Sequence, residues 1–319
     1  MPAASDLDLL ACACGCGIFD VGDINSMIPM RGHGGMAWLR WSYMSQSQNW
    51  QRSHAAPATD NDDRLLATSF ITAGGQYTFS PRWTVMAELP MYDRQFNHVD
   101  DGTVAGPAGT VFHTHLFALG DAMVMGNYTG LQKNMSTGLQ FGVKLPTGLS
   151  TSRRGPLGGT FMDRDTLPGT GSFDFILGAY HVGSFMPNGQ IPYWVQLSYR
   201  NAFTMSDQYR AGNETDTALG VGYSFGKVWR AKSVTPSLQL LGSWRARDSG
   251  LNADPLNSGY SKLLVAPGIQ VDFNRFNVYA DVELPIFQYV NSATTPHVEG
   301  SSGQLVAPVL FKVQVGYDF

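Results

Sequence analysis

Beyond residue 35, apolar and polar residues alternate with a period of two along nearly the whole chain. That spacing belongs to a strand with one apolar face. The C-terminal stretch shows it most plainly. Phe311, Val313, Val315, Tyr317 and Phe319 fall on one side; Lys312, Gln314, Gly316 and Asp318 fall on the other. Val278, Ala280, Val282 and Leu284 oppose Asn277, Tyr279, Asp281 and Glu283 in the same way. Trp83, Val85, Ala87 and Leu89 oppose Arg82, Thr84, Met86 and Glu88. The pattern predicts twelve strands, over residues 36–45, 68–79, 83–92, 112–128, 135–146, 172–183, 192–203, 215–225, 237–247, 262–273, 276–287 and 304–319. Gly and Pro interrupt every candidate amphipathic helix.

The connections carry a second regularity. Only Ser80-Pro81-Arg82 separates the second and third strands, and Asn274-Arg275 the tenth and eleventh. The alternate connections are mostly longer and rich in Gly, Asp, Asn, Ser, Thr and Pro. Short and long connections therefore take turns, as in a transmembrane barrel with short periplasmic turns and long outer loops. An even strand number leaves both ends of the barrel on the short-turn side. Trp38, Trp41 and Tyr43 on the first strand, and Tyr77, Phe79 and Trp83 around the first short turn, suit a membrane interface. So do Phe225, Trp229, Phe273 and Phe276 around later turns.

Composition narrows this further. The 319 residues carry 21 Lys and Arg against 25 Asp and Glu, a net charge of −4, and only 14% are charged. With no basic excess, nucleic acid is excluded as the partner. Mean hydropathy is −0.12, and no run of about 18 apolar residues exists, so membrane-spanning helices are excluded. Alternation accounts for both values, because each span contributes a few lipid-facing residues between small and polar ones. The fold class expected is all-β: a transmembrane antiparallel β-barrel over residues 36–319. It follows a short N-terminal segment, 1–35, which reads as a signal remnant, a plug or a periplasmic extension. Asp6 and Asp8 replace the basic start of a secretory signal, while Leu9 to Ala13 read as the tail of one.

The chain ends in alternating apolar residues and a final Phe319, which resembles the assembly signal of Gram-negative outer-membrane proteins. That likeness implies the barrel-assembly machinery as a partner through the last strand. The run Gly142-Val-Lys-Leu-Pro-Thr-Gly148, then Leu167-Pro-Gly-Thr-Gly-Ser172-Phe-Asp-Phe175 and Gly178, resembles the outer-membrane family of the MetA pathway of phenol degradation. The distinct motifs cover only residues 140–180. The resemblance implies a barrel for uptake or efflux of small molecules; it does not carry phenol over as the substrate.

Charged residues on the polar faces must point inward, because lipid would penalise them. Glu88, Asp121, Asp174, Asp272, Asp281 and Glu283 supply negative lumen charge, and Lys144, Arg200, Arg245 and Lys312 positive charge. Rings of this kind set ion selectivity when a lumen is open, or pair with one another when it is filled. In the third outer loop Asp163 and Asp165, with Arg153, Arg154 and Arg164, either fold inward as a constriction or pair on the surface.

Cys12, Cys14 and Cys16 are not something a generic pore needs. Three thiolates at alternate positions suit a soft ion such as Cu(I) better than the usual zinc spacing. Met27, Met30, His33 and Met36 follow as further soft ligands. Lipidation of Cys12, an oxidised Cys pair, or loss with a signal are the other readings of the cluster. His113 and His115 share a strand face beside His98, Asp100 and Asp101; a rim metal site competes there with plain polar rim residues. Asp60, Asp62 and Asp63 show no EF-hand pattern.

No Gly-x-Ser-x-Gly elbow, His-Glu-x-x-His or Walker loop is present, and nothing selects Ser206, Asp207 and His181 as a catalytic group. The expectation is not an enzyme. It is an outer-membrane channel passing a small molecule or ion through the barrel, embedded in outer-membrane lipid. The competing readings are soft-metal binding, export or scaffolding of a periplasmic redox partner through the cysteines, and a non-conducting structural or adhesive barrel.

Overall fold

A strand that is apolar on one side and polar on the other buries its backbone polar groups only by pairing on both edges. A closed ring of such strands leaves no edge in the membrane. The chain forms that ring. The computed structural model describes residues 21–22, 34–99, 109–151, 164–293 and 302–319.

In chain order the strands are β1 (Gly34–Gln46), β2 (Gln48–Gln51), β3 (His54–Ala55), β4 (Asp63–Ser80), β5 (Trp83–Val99), β6 (Val111–Leu119), β7 (Met123–Tyr128) and β8 (Thr137–Lys144). They continue as β9 (Asp174–Ser184), β10 (Pro192–Ala202), β11 (Glu214–Gly222), β12 (Ser233–Arg245), β13 (Tyr260–Asp272), β14 (Phe276–Val290), β15 (Gln304–Val306) and β16 (Leu310–Asp318). Each wall strand pairs antiparallel with its sequence neighbour, and β1 pairs with both β4 and β16, which closes the barrel. Gly35 and Phe319 exchange two backbone hydrogen bonds at 2.9 Å and lock the seam at the short-turn end. With β6 and β7 sharing one wall position, the ring has twelve staves.

The alternation expected from the sequence decides which side faces out. On β1, Ala37, Leu39 and Trp41 are exposed while Met36, Trp38, Arg40, Ser42 and Met44 are buried. On β16, Phe311, Val313 and Val315 point out and Lys312 and Gln314 are fully buried. The exposed apolar residues form a belt around the barrel that suits lipid.

Two expected strands are divided. The fourth breaks at residues 120–122, so β6 and β7 lie end to end along β5. The twelfth loses its first part. Residues 304–306 leave the wall and pair with β2, which also pairs with β3, in a small outer sheet that the alternation did not predict. Gln46 Nε2 donates to the Leu305 carbonyl at 2.8 Å, tying this sheet over the outer end of the lumen.

Large inward aromatics lie flat on wall glycines. A Cβ at Gly74 would sit 2.3 Å from the Trp38 ring, and one at Gly220 would sit 2.1 Å from the Trp194 ring. The missing side chains make room for rings inside a narrow barrel.

Candidate functional site

The site is the lumen. All ten charged residues selected from the alternation lie on inward-facing strand positions or, for Asp121, in the break of the wall. Glu88, Asp121, Lys144, Asp174, Asp281, Glu283 and Lys312 are buried; Arg200, Arg245 and Asp272 are half-buried. They form separate groups rather than one ring.

The first group sits at the break between β6 and β7. Lys144 Nζ donates to Asp121 Oδ2 at 2.6 Å and to the Ser172 carbonyl at 3.1 Å, and lies 3.3 Å from Asp174 Oδ1. Asp121 also accepts from the backbone N–H of Gly148 at 3.0 Å and of Thr170 at 2.9 Å. The motif run noted in the sequence therefore converges on one carboxylate. Its glycines allow this. A Cβ at Gly148 would lie 2.6 Å from the backbone of Gly120, and one at Gly169 would lie 2.6 Å from that of Gly148. Three segments of backbone touch where the wall strand is interrupted. Leu149 donates to the Leu119 carbonyl at 3.0 Å and Gly169 to that of Leu149 at 2.9 Å, so the loop extends the wall.

The second group lies at mid-height. Lys312 Nζ is 3.1 Å from Glu283 Oε1. Tyr279 donates its hydroxyl proton to Asp281 at 2.6 Å and accepts from Gln239, whose Oε1 accepts the Trp194 indole N–H at 3.0 Å. Arg40 on β1 pairs with Glu88 on β5 at 3.4 Å, over the intervening β4. Between these walls lie Val21 and Gly22. The Val21 side chain is fully buried against Met44, Leu241 and Leu310. Its carbonyl accepts from Lys312 Nζ at 3.3 Å, and Gly22 N–H donates to Gln196 Oε1 at 3.1 Å. Lys312 is on β16 and Gln196 on β10, five staves apart, so the dipeptide bridges the lumen almost from wall to wall.

Two cavities adjoin inside the barrel and share Arg40, Met123 and Arg200 in their linings. The outer one has a volume of about 160 Å³, the inner one about 40 Å³. The inner one is walled by Met86, Met123, Met125 and Ile176 beside the Arg40–Glu88 pair. Above it Arg200 pairs with Glu214, and Arg245 Nη2 donates to Asp248 at 2.8 Å. Asp248 also accepts from the buried Tyr209 hydroxyl at 2.8 Å. Burial, reinforced by Asp248, holds the Tyr209 hydroxyl well above the ordinary tyrosine range, so it stays a donor. Arg164 and Asp165 line the outer cavity, the inward alternative for that loop; Asp163, Arg153 and Arg154 lie outside the described residues.

Asp272 stands apart at the short-turn rim, where it accepts from Ser233 Oγ at 2.6 Å. His113 and His115 point outward from β6 and face Asn97 and Asp93 of β5; they line neither cavity. Among the described residues, no group of three or more His, Cys, Asp or Glu side chains is placed to hold a metal ion. Cys12, Cys14 and Cys16 lie outside the described residues, as do Met27, Met30 and His33.

Sequence reasoning passed over Arg40, Arg94, Glu214 and Asp216, all buried and inward. Arg40 sits between Leu39 and Trp41 within an expected strand and was findable by the same alternation. Glu214 fell one residue outside its expected strand. Nothing in the sequence marked Val21 and Gly22 as lumen residues.

No family model and no curated protein sequence matches the chain. Among solved structures, the fold is similar to the COG4313 outer membrane channel from Pseudomonas putida F1. The TM-score is 0.65 at 10% identity, covering 94% of this chain and 100% of that one. The β-domain of the Bordetella autotransporter BrkA gives 0.48 at 13% identity, covering 90% and 100%. The CymD monoaromatic hydrocarbon channel gives 0.47 at 9% identity, covering 98% of each chain. The first of these likenesses bears on the fold. A closed antiparallel barrel with an apolar belt is the outer-membrane architecture, and the chain is a protein of the Gram-negative outer membrane.

Proposed function

We propose that the barrel passes small molecules or ions across the outer membrane, and that its N-terminal segment plugs the lumen. The carrying observation is a pair of adjoining cavities inside the barrel, with Val21 and Gly22 held across the lumen beside them by Lys312 and Gln196. A barrel with a purely structural task gains nothing from a half-open interior lined by methionines and paired charges. Methionine adapts to irregular apolar shapes, which suits a passage for varied small molecules. The narrower tie to phenol-degradation proteins rests on the motif run alone, and that run builds the wall around Asp121. It supports a role in forming the channel and says nothing of a substrate.

Planar-bilayer conductance of the refolded full chain, beside a variant lacking residues 1–33, tests both halves. The full chain should conduct weakly and the shortened chain several-fold more. Silence from both variants would reject the channel. Equal conductance would reject the plug and leave the channel standing.

A further inference from the structure

The outer cavity is lined by charged groups of both signs. Its lining includes six cations, Arg40, Arg94, Lys144, Arg164, Arg200 and Arg245, against four carboxylates, Asp121, Asp165, Asp174 and Glu214. The pairings do not distribute this charge evenly. Lys144 is neutralised by Asp121 and Asp174, and Arg200 by Glu214. Arg40 and Arg245 pair with Glu88 and Asp248, which lie beyond the cavity. Arg164 makes no ion pair among the described residues. Its Nη2 donates to the backbone carbonyls of Thr170 at 2.9 Å and Ser206 at 3.2 Å, and its Nε and Nη1 have no hydrogen-bond partner. The guanidinium lies 5.2 Å from the Tyr209 ring centroid. Its burial lowers its pKa from the ordinary arginine value, opposed by the fields of Asp207, Tyr209 and Asp121; two of its nitrogens still lack an acceptor, which an anion beside them would supply.

One side of the wall is apolar, while Ser42, Thr72 and Thr170 add polar groups elsewhere. Phe70 and Tyr92 meet edge to face with centroids 4.9 Å apart, and Pro90, Leu167 and Pro168 lie in the same lining. A fully hydrated inorganic ion has no use for such a surface. A multiply charged anion would meet the four carboxylates. One negative charge on a compact apolar body matches both the Arg164 guanidinium, which has no ion pair among the described residues, and the apolar side of the wall.

We propose that the outer cavity binds small organic monoanions, a single carboxylate on an apolar body, with Arg164 as the anchoring cation and the Phe70, Tyr92 and Leu167 wall taking the body. Capture there would load the passage from outside. That last step rests on the channel reading, whereas binding itself does not.

The test is equilibrium titration of the refolded full chain in detergent with benzoate, its neutral isostere benzamide, and inorganic phosphate. Benzoate should bind saturably and at least tenfold more tightly than benzamide, the size of one charge-assisted contact. Phosphate should not displace it at equal concentration. Arg164→Met should lose the preference for benzoate over benzamide, whereas Arg230→Met, in the exposed turn between β11 and β12, should keep it. Equal binding of benzoate and benzamide by the unaltered chain would overturn the proposal, and so would displacement by phosphate. Should Arg164→Met fail to fold, the benzoate, benzamide and phosphate titrations of the unaltered chain still decide. Conductance without benzoate binding would sink the anion site and spare the channel; binding without conductance would do the reverse.

Discussion

Lys312 Nζ reaches the carbonyl oxygen of Val21, 291 positions earlier in the chain, at 3.3 Å, while it faces Glu283 at 3.1 Å. One ammonium thus holds both the lumen wall and the segment lying across it. Both partners of the ion pair are fully buried, so removing one strands the other charge. Lys312→Met should cost about 3–5 kcal/mol of barrel stability. Adding Glu283→Gln should restore most of that, because two neutral groups no longer need each other. Urea unfolding of the folded barrel, followed by tryptophan fluorescence, measures both. A double variant as unstable as the single one would show that packing, not charge, holds this level.

Asp121 gathers Lys144, Gly148 and Thr170 at the wall break, so it should govern the order of the following loop. Asp121→Ala removes a charge-assisted bond of about 1.5–3 kcal/mol and leaves two backbone donors without their acceptor. Limited proteolysis should then cut within 145–173 much faster than in the unaltered barrel. Lys144→Met should do as much, since it strands the buried Asp121 and Asp174 charges and frees the bonds to Thr170 and Ser172. Equal resistance of all three proteins would remove Asp121 from this role.

The course of the barrel was legible because lipid enforces one rule at every span. Val313 and Val315 must face out and Lys312 and Gln314 must face in, whatever lies across the lumen. Partners were not legible. Arg40 meets Glu88 only because β1 and β5 stand on either side of β4, a relation set by ring closure and strand tilt. The break at 120–122 left one trace: Leu119 and Asp121 stand two apart, so an unbroken strand would put an apolar and a charged residue on one face. The cause of the break is the meeting of Gly120 with Gly148 and Gly169, which no local pattern contains. Val21 left no signal, since two residues in a glycine-rich leader have no period to read.

Gly220 and Trp194 test the rule of rings on glycines. A Cβ at residue 220 would overlap the indole at 2.1 Å, so Gly220→Val must push Trp194 off the wall. The indole N–H bond to Gln239 would break with it. Overpacking of this kind typically costs about 1–3 kcal/mol. The displaced ring should also change its emission maximum, because it leaves a buried hydrogen-bonded site. Gly226→Val is the control: it lies in a short turn with open space around its Cα, although its positive φ adds local strain. A stability loss in Gly220→Val no larger than in the control would refute the rule.

Gly22 offers a way to test the proposed plug without deleting it. Its φ is +85°, a region where any side chain is strained, by about 1–2 kcal/mol. A Cβ there would also lie 2.8 Å from Gln239 Oε1 and 2.9 Å from Leu241 Cδ2. Gln239 cannot simply yield, because it holds Trp194 and Tyr279 at once. Gly22→Val should therefore shift the segment rather than the wall, while the strands keep every pairing they have. Unfolding stability should change little, because the barrel's closure does not pass through residue 22. Conductance should rise toward that of the chain lacking residues 1–33. An unchanged current in Gly22→Val, beside a raised one in the shortened chain, would place the block elsewhere in the leader than at Val21 and Gly22.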